Sequence, residues 1–259
     1  MASAGTSPPV RLPLTVIIPT LNEVANIAAC VASAAFADEI IVADGGSTDG
    51  TVAAARAAGA TVLERTGPTI AAQRNAAIAA ARHRWVLALD ADERVTPALA
   101  AELKSVLAAP AHAAYRVRCE NFYLGAVQTR GSWARNWHVR LFGSDRRYVE
   151  RRVHEGLEPV PNTGTLTGTL LHHPYRSLAH HVEKLDRYAR WGAEDLWERG
   201  RRAGWTDLLL RPAWRFFKSY VLGRGALEGR RGMVLSVLDA YAGFLKYAYL
   251  WERQNKAGE

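Results

Sequence analysis

Asp90 and Asp92 stand two residues apart, with Glu93 beside them, directly after the apolar run Trp85-Val86-Leu87-Ala88-Leu89. A short run of this kind reads as a strand buried on both faces of a parallel sheet. Open α/β sheets bind ligands at the carboxyl ends of such strands. Two carboxylates leaving an extended chain there suit one hard cation. Mg²⁺ or Mn²⁺ is held by one or two carboxylates while substrate phosphate oxygens complete its shell. The same stretch also reads as a strand followed by an acidic helix start, with Glu93 serving the helix dipole. The segment taken alone supports both readings.

The elements that must position these carboxylates are legible upstream. Leu14 to Thr20 is a second buried-strand pattern, followed by Leu21-Asn22-Glu23 and an alanine-rich helix from Val24 to Ala35. Glu39 to Ala43 is a strand that ends in Asp44-Gly45-Gly46-Ser47-Thr48-Asp49-Gly50. Its glycines allow close backbone approach to a ligand, and its polar residues can cap a helix over 51–58. A strand at 60–63 and a helix over 69–82 complete the order β-α-β-α-β-α-β. Short links in that order predict a right-handed parallel α/β sheet with acidic or small polar residues along one edge.

Ile18-Pro19-Thr20-Leu21-Asn22-Glu23, Ile41-Val42-Ala43-Asp44-Gly45-Gly46-Ser47-Thr48-Asp49-Gly50-Thr51 and Asp90-Ala91-Asp92-Glu93 together resemble the signature of glycosyltransferase family 2, enzymes of the GT-A fold. Gln73-Arg74-Asn75, Val153-His154-Glu155, Leu171-His172, Trp214-Arg215-Phe216-Phe217 and Phe244-Leu245-Lys246-Tyr247 are similar to one branch of it, the bacterial β-glucosyltransferases of lipopolysaccharide core assembly. The resemblance implies a GT-A Rossmann-like, mainly parallel sheet flanked by helices, with a C-terminal helical appendage. It implies inverting transfer of a sugar from a UDP-sugar to a hydroxyl of a lipid-linked glycan. Pro19, Thr20, Glu23, Asp44, Gly46, Ser47, Arg74, Asp90 and Ala91 would bind the nucleotide-sugar. Asp92 would hold the divalent metal, Mg²⁺ or Mn²⁺, helped by Asp90 and joined by His172. Glu155 would take the proton from the acceptor hydroxyl as general base. Relatives often carry a lysine and glycines before the Gln-Arg pair, where this chain has Gly67-Pro68-Thr69-Ile70-Ala71-Ala72.

Each residue has a plainer role open to it. Asp44 can close an Asx turn, Arg74 can be a solvated helix cation, Glu155 can pair with Arg151 or Arg152, and His172 can be a core or surface histidine. A nucleotide-sugar-binding or nucleotidyltransferase-like α/β protein is the alternative to a transferase. A nucleotidyltransferase is expected to carry a glycine-rich, lysine-bearing loop after the first strand, where this chain has Pro19-Thr20-Leu21-Asn22-Glu23.

The 259 residues carry a net charge of +8 and only two cysteines. So few thiols argue against an oxidised secreted scaffold, and Cys30 and Cys119 are expected to be free. Residues 1–13 lack the basic and apolar regions of a signal peptide and are expected to form a flexible tail. A catalytic domain is expected over 14–175, its nucleotide-sugar half reaching about residue 110. Beyond residue 115 arginines interleave with aromatics, which suits an anionic glycan or glycolipid acceptor through stacking and guanidinium forks. Trp133, Arg135 and His154 are the acceptor-binding candidates. No helix-turn-helix, zinc-ligand or RNA-recognition motif accompanies the charge, so no nucleic-acid partner is expected.

Residues 176–259 read as a helical, membrane-associating appendage. It comprises an amphipathic helix over 177–202, a helix with Pro212 in its first turn, and an apolar one over 233–251. Asp239 and Lys246 argue against a membrane span, while basic flanks with tryptophan and phenylalanine suit a helix in the headgroup layer. The protein is therefore expected at the cytoplasmic face of the inner membrane. A packed helical subdomain or dimer interface is the other reading of this segment.

Overall fold

The computed structural model describes residues 11–131, 136–149 and 156–256. The chain divides into two compact units, one of residues 1–119 and 136–172 and the other of 120–135 and 173–259. The sequence reading carries 120–135 with the catalytic domain, whereas 120–131 group with the C-terminal helices.

The first unit opens with β1 (Leu12–Thr20), α1 (Val24–Ser33), β2 (Ala37–Asp44), α2 (Thr51–Ala57), β3 (Thr61–Leu63), α3 (Ile70–Ala80) and β4 (Trp85–Ala88). β1 pairs in parallel with both β2 and β4, and β2 pairs in parallel with β3. β5 (Glu93–Val95), α4 (Pro97–Ala108), β6 (Ala114–Tyr123), β7 (Ala126–Val127), β8 (Trp137–Gly143), β9 (Tyr148–Val149), β10 (Gly156–Leu157) and β11 (Thr163–His172) follow along the chain, the end of β6 and β7 falling in the second unit. The sheet order is β3-β2-β1-β4-β8-β6-β11-β5, with β7 beside β6. β8 runs antiparallel to β4 and β6, and β11 antiparallel to β5. The parallel strands fall within the residues where the sequence reading expects the nucleotide-sugar half, and antiparallel strands extend the sheet.

Period-two alternation divides the core. Leu14, Val16, Ile18, Val42, Leu87 and Leu89 pack into one cluster with α1 and α4. Ile17, Ile41, Ala43, Val86 and Ala88 pack into another with Ala71, Ala77 and Ile78 of α3. Strands with both faces covered must be apolar throughout, which is why these runs lack polar alternation. Truncating Ile17, which is wholly buried, to alanine should cost about 2–5 kcal/mol.

Glu93 does not start a helix. Thr96 caps α4, its Oγ1 accepting from Leu99 N at 3.3 Å, and Pro97 lies in the first turn. A hydroxyl cap followed by proline outcompetes an acidic residue as a start signal, which leaves Glu93 to the short strand β5.

In the second unit α5 (Leu178–Glu198) is capped by Ser177, and α7 spans Arg230–Lys256. Between them a helical run begins at Thr206, ahead of Pro212. It comprises a π-helical turn (Thr206–Leu210), α6 (Arg211–Phe217) and a second π-turn (Lys218–Leu222). Ala193, Ala203, Tyr247 and Leu250 form this unit's core. No helix among the described residues is long and apolar enough to cross a membrane.

Candidate active site

Register brings the motif carboxylates to one edge. Thr20 pairs with Asp44 across β1 and β2, and Leu89 N donates to Ile17 O at 3.0 Å, so Asp90 emerges beside the end of β1. Pro19 and Thr20 are buried at the end of β1, and Ala91 is buried in the turn between β4 and β5.

The loops after β1 and β2 are stitched together. Asn22, at φ 56°, accepts from Thr48 N at 2.9 Å, and its own N–H donates to Ser47 Oγ at 2.8 Å. Glu23 N donates to Thr51 Oγ1 at 2.9 Å, while the Glu23 side chain accepts from Asn26 at 2.7 Å. Asp44 is 2 % exposed, and its carboxylate accepts from Gly46 N at 2.8 Å, Ser47 N at 2.9 Å and Ser47 Oγ at 2.5 Å. These turn contacts leave oxygen lone pairs for a further donor. Gly46 takes φ +105°, a conformation open to glycine at no steric cost.

Asp90 is the hub of an ionic cluster. Its Oδ1 accepts from Arg74 Nη2 at 2.5 Å and its Oδ2 from Arg140 Nη2 at 2.8 Å. The same Arg140 nitrogen reaches Glu93 Oε1 at 2.5 Å, and Glu93 Oε2 accepts from Asp90 N at 2.9 Å. Burial pushes the Asp90 carboxyl up, but the Arg140 and Arg74 guanidinium groups overcome it and hold the group well below the usual carboxylate range. Glu93 is shifted upward, chiefly by burial, against the pull of Arg140.

Arg74 lies on α3 with its guanidinium 4.7 Å from the centre of the Tyr148 ring. Asn75 ties Tyr148 down from the same helix, donating to its O at 2.9 Å and accepting from its N at 2.8 Å. Arg74 is therefore an ordered, buried cation rather than a solvated one. Arg74, Asp90, Glu93, Arg140, Tyr148 and His172 help line a cleft of about 750 Å³.

Asp92 and His172 meet, 80 residues apart in sequence. His172 Nε2 lies 3.3 Å from Asp92 Oδ2, because β11 pairs with β5 and sets His172 opposite Glu93. Burial pulls the His172 imidazole down, but the hydrogen bond and charge of Asp92 raise it on balance. One carboxylate and one imidazole are donors a divalent ion accepts. No group of three potential ligands occurs among the described residues, so a cation here would draw the rest of its shell from substrate oxygens and water. The pair fits a metal on those terms.

Glu155, His154, Trp133 and Arg135 lie outside the described residues. Arg140 and Tyr148, which the sequence reading places only in the general basic and aromatic stretch suited to an acceptor, and Glu93, read there as a motif carboxylate or helix start, belong to this ionic cluster. Arg140 is detectable in hindsight as an arginine embedded in the apolar strand β8, next to the buried Leu141 and Phe142.

A parallel sheet with carboxylates along one edge, continued by antiparallel strands that add charged side chains beside them, is the architecture of a GT-A-type glycosyltransferase. The model of the family described as "Glycosyl transferase family 2" matches residues 15–156. The chain belongs to glycosyl transferase family 2. It is 30 % identical over 252 residues to the lipopolysaccharide core biosynthesis glycosyltransferase LpsC of Rhizobium meliloti, covering 94 % of this chain and 93 % of that one. It is also 28 % identical over 258 residues to an uncharacterized glycosyltransferase of Rickettsia typhi, covering 94 % and 88 %. Among solved structures it is similar to a complex of glucosyl-3-phosphoglycerate synthase from Mycobacterium tuberculosis, at 28 % identity and a TM-score of 0.37 over 42 % of this chain and 44 % of that one.

Proposed function

We propose that this glycosyltransferase moves a sugar from a UDP-sugar to a hydroxyl of a lipid-linked glycan, in lipopolysaccharide core or related cell-envelope polysaccharide assembly. The observation that carries the reading is the convergence of Asp44, Asp90 and Asp92 on one sheet edge, with His172 beside Asp92. The likeness to LpsC along nearly the whole of both chains supports the acceptor class.

The chemistry is a single in-line displacement with inversion. The acceptor hydroxyl attacks the anomeric carbon, Glu155 takes its proton, and UDP departs. Asp92 and His172 would hold a divalent cation, Mg²⁺ or Mn²⁺, which when bound offsets charge on the diphosphate. Asp44 accepts hydrogen bonds from the nucleoside. Asp90, anchored by Arg74 and Arg140, keeps both cations in fixed positions along the cleft and so preorganises its field before substrate arrives.

The C-terminal unit docks on the cytoplasmic face of the inner membrane. Trp205, Leu209, Leu210, Trp214, Phe217 and Val221 are exposed along one helical run, and Met233, Val237, Tyr241, Phe244 and Trp251 along α7. The α7 residues recur at intervals of three, four and seven, which is one helix face. A continuous apolar face with Arg230 and Arg231 at one end suits an anionic headgroup layer.

Incubating the purified enzyme with a panel of UDP-sugars and truncated core glycolipids, and following acceptor mass, tests the whole reading. Sugar addition that requires a divalent ion is expected. Transfer only from donors lacking UDP, or only to soluble non-glycan acceptors, overturns it.

A further inference from the structure

A second cleft, of about 1100 Å³, lies wholly within the C-terminal unit. Thr129-Arg130-Gly131 forms one wall. The π-turn Lys218–Leu222, with Gly223 and Arg224 after it, forms another, and Arg215 and Asp239 contribute from α6 and α7. Among the described residues its lining holds four cations, Arg130, Arg215, Lys218 and Arg224, against one carboxylate, Asp239. That carboxylate is already engaged, because Arg215 Nη2 reaches Asp239 Oδ1 at 2.7 Å. The remaining three cations converge on the same space.

The backbone around them is specialised. Gly131 takes φ +79° and its N–H donates to Gly223 O at 2.8 Å, which closes one side of the cleft. A Cβ at Gly223 would stand 2.7 Å from Ser219 O and 3.0 Å from Gly131 Cα, so only glycine permits that approach. Arg224 sits at φ 58°, ψ 27°, the left-handed region that a long side chain rarely occupies. Backbone strain of this kind persists where the surroundings over-determine it, often where ligands bind. π-turns also cluster at functional positions, and here Lys218, Ser219 and Leu222 of one such turn all face the cleft. Ser219 is buried, and its Oγ accepts from Ser236 Oγ at 3.2 Å, which fixes the floor.

We propose that this cleft is a binding site for a phosphate group, presented as a phosphomonoester or phosphodiester. Guanidinium forks match phosphate oxygens in pairs, and an ammonium adds a movable point charge. A cavity of this volume exceeds a bare phosphate, which leaves room for a sugar or glycerol attached to it. The phosphate belongs to a phosphorylated glycan or to a lipid headgroup. The site does not depend on the sugar-transfer reading, since it is read out by binding alone with no donor present.

The test uses the full chain with EDTA, titrated with glucose 1-phosphate by calorimetry and sedimented with phosphatidylcholine vesicles containing or lacking phosphatidylglycerol. Arg130→Gln combined with Arg224→Asn removes two cations while asparagine tolerates the left-handed backbone. Lys218→Met provides an independent variant should the pair fail to fold. At least one probe should bind the wild type, more weakly at high salt, and at least tenfold more weakly to the variants. Loss confined to the sugar phosphate assigns the site to a phosphorylated glycan, and loss confined to phosphatidylglycerol vesicles assigns it to a headgroup. A wild type that binds neither probe, or folded variants that bind as tightly as the wild type, overturns the proposal.

Discussion

Arg140 and Asp90, fifty residues apart, are joined at 2.8 Å by a guanidinium nitrogen that also reaches Glu93 at 2.5 Å. One buried cation thus separates two carboxylates at the floor of the cleft. Removing a single member of a buried ion cluster leaves charge uncompensated. Arg140→Met should destabilise the protein by about 3–5 kcal/mol, measured by urea unfolding. The companion change Glu93→Gln in the Arg140→Met background should recover part of the loss, because it removes one of the two carboxylates left facing each other.

Asp92→Ala should abolish transfer while the fold survives. The Asp92 side chain is partly buried and meets His172, but it lies outside the apolar clusters. On the proposed reading, its removal would deprive the diphosphate of metal-mediated charge stabilisation, a loss of several kcal/mol in the transition state. Turnover and thermal unfolding measured on the same preparation decide the matter. Near-normal turnover with cognate donor and metal removes Asp92 from the site.

Glu155→Gln should lower kcat by about 10²–10⁴-fold with little change in UDP-sugar affinity, since the amide keeps the shape but accepts no proton. Acceptor-dependent turnover is the quantity to measure, because slow donor hydrolysis by water can persist. A variant with unchanged kcat and weakened donor binding would move Glu155 to the nucleotide pocket.

His181 supplies a pH dependence. It stacks on Tyr175 at 3.7 Å between ring centres and meets Tyr123 Oη at 3.1 Å. Burial, with the neighbouring charges of His180 and Lys184, brings its pKa down to about 4 from an ordinary 6.5. The unfolded chain therefore binds a proton that the folded one refuses between those values. Stability should fall as pH drops from about 6.5 towards 4. His181→Phe should flatten the thermal-unfolding profile across that window, and a profile unchanged in slope would mean another group governs it.

The exposed aromatic face predicts membrane partitioning. Trp205→Ser, Leu210→Ser and Trp214→Ser together remove three large side chains, each contributing roughly 1.5–3 kcal/mol when transferred out of water. Co-sedimentation with anionic vesicles should drop by more than tenfold while soluble donor hydrolysis stays constant. Sedimentation equal to wild type would assign the face to a protein contact.

Local patterns determined much of this protein. Continuous apolar runs specified β1, β2 and β4, and the polar residues after them fall along one sheet edge, because strand length, stop signals and helix caps are encoded within a few neighbouring residues. Ser177 and Thr69 cap helices where the sequence invites it. The tertiary structure alone decided that Arg140 neutralises Asp90, that Glu93 is a buried strand residue, through which strand pairing His172 meets the Asp92 it was expected to join, and that 120–131 group with the C-terminal helices. Each depends on which distant strands pair and in what register. A one-residue slip of β8 or β11 would turn Arg140 or His172 to the opposite face of the sheet, yet leave every local pattern intact.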